Sequence, residues 1–230
     1  MKYVFVAALL AAGCTYPPTR MAPVERQGEL LDSQVTSAVE RGDYAEAYRL
    51  CDRWLDVARA SGTMMNLVAT HENMLRIRWS QSDIAGALRE NDAMADYSRR
   101  AVGEQRRAGL MHYWWWRSWL LAEAGRHADA AGALTELDRL STRPGDRASL
   151  PVMTAWLAYN RGDQATANAA AAAVVDSDDD PPDLYVFARI RQSDGDAAGA
   201  ERLRERIRRG ARTLERAIVV QRMARDTTMP

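Results

Sequence analysis

The hexapeptide GDYAEA at residues 42–47 decides how the chain is read, because four further segments repeat its form. They are SDIAGA (82–87), GRHADA (125–130), GDQATA (162–167) and GDAAGA (195–200), with starts 40, 43, 37 and 33 residues apart. Each opens on a small residue, glycine in four of the five, and closes on alanine. Glycine lets the backbone leave one helix in a left-handed conformation. Aspartate follows it in most of the segments and suits a turn or the start of a helix. The closing alanine, at 47, 87, 130, 167 and 200, is small enough to let two antiparallel helices approach closely. No stretch alternates with period two between turn signals, so strands are not expected.

The intervening periodicity predicts helices over 28–41, 44–60, 64–80, 83–106, 109–124, 127–141, 147–161, 164–175, 182–193, 196–209 and 211–225. In GARTLERAIVVQRMARD (210–226), Leu214, Ala217, Ile218 and Gln221 share one helical face. A stack of repeats leaves its last apolar face open, so this helix is expected to cap it. STRPGDR (141–147) reads as a Pro-Gly turn. DSDDDPPD (176–183) stops one helix and starts the next, with acids near the new N-terminus, where the helix dipole favours them. It lacks the turn glycine and closing glutamate of a calcium loop and reads as a solvated acidic turn.

The turn and its spacing resemble the tetratricopeptide repeat, a helix-turn-helix of about 34 residues. GDYAEA is very close to that family's inter-helix turn. In the third unit Trp114 stands where the signature tryptophan falls, Ser118 where a small residue falls and Leu121 where a tyrosine falls; the fifth unit places Leu184, Phe187 and Ala188 likewise. Arg117 at the usual leucine place, His71 and Met74 in the second unit, and three long spacings depart from the pattern. The resemblance covers roughly residues 29 to 209. It implies an all-α fold: a right-handed superhelical solenoid of about five such hairpins plus a C-terminal capping helix, in one domain over 28–230.

The N-terminal segment MKYVFVAALLAAGC (1–14) has one lysine, an apolar run and small residues at its end. That is the form of a secretory signal, and the run is too short to span a bilayer, which takes about 20 apolar residues. Ala11-Ala12-Gly13-Cys14 resembles the bacterial lipobox, with Ala11 where leucine is usual. The resemblance implies a signal peptide over 1–13, lipid on Cys14 and a proline-rich tether over 14–27; an ordinary cleaved signal is the other reading. Thr15 after the cysteine resembles outer-membrane sorting in Gram-negative bacteria, which implies the periplasmic face of that membrane. With Cys14 lipidated, Cys51 has no partner, and its apolar helical surroundings suit a core thiol.

The cluster YWWWRSWLL (113–121) carries four tryptophans. In tetratricopeptide stacks the first helix of each pair lines the concave side. By that resemblance Glu72, Arg76 and Trp79, then Trp115 and Trp119, then Trp156 and Tyr159, then Tyr185 and Arg189 face the groove, while Trp114 points into its own hairpin. Helix geometry supports the split, because residues 115 and 119 share a face. Two readings of this face stand: an aromatic partner-binding groove, or packing, including a groove filled by the protein's own tail. An open groove of this chemistry suits extended peptide, with Arg76 and Arg189 holding carboxylate or carbonyl groups.

The formal net charge is +0, which gives no pull toward nucleic acid. His71, His112 and His127 are scattered, and no HExxH, Gly-x-Ser-x-Gly or phosphate-cradling glycine loop occurs. The arginines at 202, 204, 206, 208, 209 and 212 interleave with Glu201, Glu205 and Glu215 and read as a solvated, paired face. The expectation is therefore a lipid-anchored envelope scaffold or adaptor that binds a protein or extended peptide. It is not expected to be an enzyme or to need a cofactor or metal. The alternative is a receptor for a small ligand or glycan, serving a transporter or cell-wall system.

Overall fold

The structure, a computed structural model, describes residues 23–172 and 180–226. Cys14 and its neighbours, most of the expected tether and residues 176–179 of the acidic turn lie outside the described residues. Among those described, every regular element is helical: α1 (Pro23–Glu40), α2 (Tyr44–Ser61), α3 (Met64–Ser80), α4 (Ile84–Arg100), α5 (Gly103–Glu123), α6 (His127–Leu140), α7 (Leu150–Asn160), α8 (Gln164–Ala172), α9 (Pro181–Ser193), α10 (Ala197–Arg209) and α11 (Leu214–Asp226), with a short 3₁₀ turn at Asp146–Ser149.

The five related turns share one construction. Their first residues, Gly42, Ser82, Gly125, Gly162 and Gly195, all have positive φ, between 64° and 84°. The next backbone N–H reaches back five residues to close the helix: Asp43 to Ala38, Asp83 to Arg78, Arg126 to Leu121, Asp163 to Ala158 and Asp196 to Arg191, at 2.8–3.0 Å. In four turns the same residue then opens the next helix. The carboxylates of Asp43, Asp83, Asp163 and Asp196 accept from the N–H three places on, at 3.1, 2.8, 3.1 and 2.7 Å. One aspartate thus satisfies orphan groups of two helices.

These tight turns make α1/α2, α3/α4, α5/α6, α7/α8 and α9/α10 antiparallel packed pairs. The closing alanines sit where the partners touch, and all five are completely buried. Successive pairs pack through α2 on α3, α4 on α5, α6 on α7 and α8 on α9. One continuous core runs from Leu31 to Met223.

Three features differ from expectation. The fourth helix ends at Arg100, not 106, and the fifth starts at Gly103, not 109. Gly109 is inside α5, where a Cβ would stand 2.5 Å from the Ser98 hydroxyl, so this glycine serves close approach to α4 and not a break. α1 starts at Pro23, inside the expected tether, because proline's fixed φ and missing N–H suit the first helical position. Lastly, α11 reaches beyond α9 and α10 to pack on α1 and α3, so it joins the two ends of the described chain. Glu40 at the end of α1 holds Arg212 at 2.6 Å and Arg216 at 2.9 Å.

Candidate binding face

The inward sides of α3, α5, α7 and α9 meet in one aromatic block. Trp115, Trp119, Trp156 and Tyr159 stack in series, with centroid separations of 5.0, 4.9 and 5.5 Å and interplanar angles of 26°, 30° and 15°. The i,i+4 spacing within α5 and the i,i+3 spacing within α7 align the rings, and the packing of α5 on α7 joins the halves. Trp79 stands edge-on to Trp119 at 5.6 Å and to Tyr185 at 5.4 Å. Offset and edge-on contacts of this kind are the favoured aromatic geometries.

Charged groups are set into this block. Glu72 accepts from Arg76 at 2.7 Å and Trp116 Nε1 at 3.0 Å, and its second oxygen lies 3.1 Å from His112 Nδ1. Burial opposes ionisation of Glu72, but Arg76 and His112 outweigh it and hold the carboxyl well below the usual range. The same charge raises the pKa of His112. Glu123, at the end of α5, accepts from Trp79 Nε1 at 2.7 Å and from Arg222. Burial pushes the Glu123 carboxyl up, while Arg222 pulls it the other way. Tyr185 and Arg189 both donate to Asp226 at 2.7 Å, and Arg189 also donates to the Tyr159 hydroxyl.

All nine groove positions expected from the sequence therefore fall in one connected network. Trp79, Trp119, Trp156 and Tyr185 are fully buried and Glu72 is buried. Trp115 and Tyr159, at the two ends of the stack, are half-buried. Part of the face is covered by α11. Glu215 binds Arg76, Arg222 binds Glu123 and the Trp79 carbonyl, and Asp226 binds Arg189 and Tyr185. Arg222 also lies 5.4 Å from the Trp79 ring centroid.

Sequence reasoning did not assign Trp116, Glu123, Glu215, Arg222 or Asp226. A signal for three of them exists: Glu215, Arg222 and Asp226 are spaced by seven and four residues, which puts them on one helical face. Among the described residues, no group of three or more His, Cys, Asp or Glu is placed to hold a metal ion, and no helix is long and apolar enough to cross a membrane. No family model, curated protein or solved structure matches the chain.

Proposed function

We propose that the chain is a lipid-anchored scaffold of the cell envelope. In this reading its helical hairpins form a solenoid of the tetratricopeptide-like kind, and its inner face holds a segment of a partner protein. The observation that carries the reading is the occupancy of that face by α11. Fixed charges on three different hairpins, Arg76, Glu123 and Arg189, are each answered by one side chain of a single helix lying over an aromatic floor. A face that orders one helix in this way has the parts needed to hold another: aromatic area that costs little side-chain entropy, and charges that fix register.

The half-buried rings at the ends of the stack, Trp115 and Tyr159, and the half-exposed His112 give a partner contact area that α11 leaves open. The test is site-specific photo-cross-linking in intact envelopes. A cross-linker at position 115 or 159 is expected to capture the same envelope protein, and one at the exposed Arg139 of α6 is not. Equal capture from both faces would overturn the reading.

A further inference from the structure

We propose that the open cleft between α1 and α2 is a binding site for a phosphate monoester. The site lies away from the inner face and goes beyond the scaffold reading, which stands or falls without it.

The cleft has a volume of about 300 Å³. α1 lines it with Ser33, Ser37 and Arg41, and α2 lines it with Glu46, Arg49 and Arg53. Spacings of four and eight residues on one helix, and of three and seven on the other, put each set on one side of its helix. α1 is the first described helix, so no earlier hairpin covers this side of the pair. Three arginines stand here against one glutamate, a surplus of two positive charges. The whole chain has a formal net charge of +0, so the surplus is local.

The arginines divide by their partners. Arg49 clamps Glu46 with two hydrogen bonds, at 2.7 and 2.6 Å. Arg49 holds the Glu46 carboxyl below its usual range, and Arg41 and Arg53 add to that pull through charge alone. Among the described residues neither Arg41 nor Arg53 forms an ion pair. A fourth guanidinium, that of Arg212, donates to the Ser37 hydroxyl at 3.1 Å but is held by Glu40. Two guanidinium forks are thus left facing one cleft, and such forks match phosphate oxygens in pairs. A phosphate monoester carries about −1.5 to −2 near pH 7, which meets the surplus, whereas a carboxylate carries half of it.

The same group has two sources, a membrane phospholipid and a soluble ester. Cys14 and Pro23 are nine residues apart, a reach of at most about 30 Å. α1 rises only about 15 Å from Pro23 to Ser33. Under the proposed lipidation the cleft therefore lies within reach of phospholipid headgroups.

The test is isothermal titration of the full chain in a neutral detergent with glycerol 3-phosphate, with short-chain phosphatidic acid and with acetate. Both phosphate probes are expected to bind, and acetate at least tenfold more weakly. Arg41→Gln with Arg53→Gln is expected to weaken both phosphate probes at least tenfold. Arg106→Gln with Arg202→Gln, an equal loss of charge from exposed arginines elsewhere, is expected to leave both unchanged. Glu46→Gln removes the competing carboxylate, frees Arg49 and is expected to tighten both about fivefold. A gain of this kind does not arise from damage to the fold.

Tighter binding of the lipid than of glycerol 3-phosphate, lost with Arg41 and Arg53, assigns the phosphate to the membrane. Equal or weaker binding of the lipid assigns it to a soluble ester. Failure of both phosphate probes to bind, an equal loss in the Arg106→Gln, Arg202→Gln chain, or no gain from Glu46→Gln would overturn the proposal.

Discussion

Arg222 of α11 and Glu123 of α5 form an ion pair whose side chains are only 10% and 12% exposed. The pair ties α11 to α5 and, through Trp79, to α3. Glu123 also holds the Trp79 indole, and Arg222 also reaches the Trp79 carbonyl and the Ser82 hydroxyl. A charged contact this deep is stable only as a unit, because either group alone is a bare charge out of water.

Arg222→Ala is therefore expected to cost about 3–5 kcal/mol near neutral pH, the usual result of stranding one partner of a buried pair. Glu123→Leu combined with Arg222→Leu is expected to cost much less, since both charges leave together. The comparison is made by denaturant titration as a double-mutant cycle. The single-variant penalty has a defined pH dependence. Burial already pushes the Glu123 carboxyl up, and loss of Arg222 removes the opposing pull. The folded pKa then lies above the unfolded one, so the penalty is present above the folded pKa and shrinks as pH falls through it. A penalty that grows on acidification would contradict the pair.

His112 and Glu72 give a second pH signature. Glu72 raises the pKa of His112 above its ordinary 6.5. Protonated His112 therefore favours the folded state. That contribution is fully present below about pH 6.5 and is lost as pH rises through the folded pKa. Glu72 runs the other way: its pKa is lowered, so its contribution is present above about pH 4.3 and is lost as pH falls through the folded pKa. The stability difference between the unaltered chain and His112→Gln is expected to narrow steadily as pH is raised across neutrality. A difference independent of pH would show that the imidazole carries no charge in its contact with Glu72.

Much of this arrangement was legible in the sequence, for reasons that can be located. The turns were legible because one glycine and one aspartate do the work within six residues, and the buried alanines because they recur at a fixed place. That Trp115 and Trp119 share a side was legible because helical spacing determines it, whereas the burial of Trp79, Trp119, Trp156 and Tyr185 was not, because the sequence left both an open groove and plain packing standing. The partners across the face were not. Arg76 meets Glu215 and Glu123 meets Arg222 over 139 and 99 residues of chain, and no local pattern reports such pairings. The break between α4 and α5 was misplaced for a local reason. Two glycines compete there, and only the structure tells which bends the chain, Gly103, and which admits a neighbour, Gly109.

The turns allow a direct energetic comparison. Gly162 has φ 80°, and an added Cβ there meets no atom within 4 Å, so the cost of Gly162→Ala is backbone strain alone, about 1–2 kcal/mol. Ser82 already bears that strain at φ 64° and is anchored by Arg222 at 3.2 Å. Ser82→Gly relieves the strain but loses the anchor, so a net change within about 0.5 kcal/mol is expected. Ser82→Ala keeps the strain and loses the anchor, and is expected to destabilise by about 1 kcal/mol. Thermal or denaturant midpoints of the three variants give the order. A stabilising Ser82→Ala would mean that the hydroxyl contact opposes folding.

The two cysteines separate the lipid anchor from the core in one labelling experiment. Cys51 is buried, and burial pushes its thiol up to about 12, so little thiolate exists near neutral pH and no reagent reaches it. Cys14 lies outside the described residues and, under the proposed lipidation, carries no free thiol. The folded chain purified from envelopes is expected to take up no maleimide, and the denatured chain is expected to take up one, at Cys51. Uptake at Cys14 would sink the anchor, and rapid uptake at Cys51 in the folded chain would sink its place in the core. The kinetics add a further constraint. Cys51 is completely buried in the one continuous core, so its labelling should follow global unfolding.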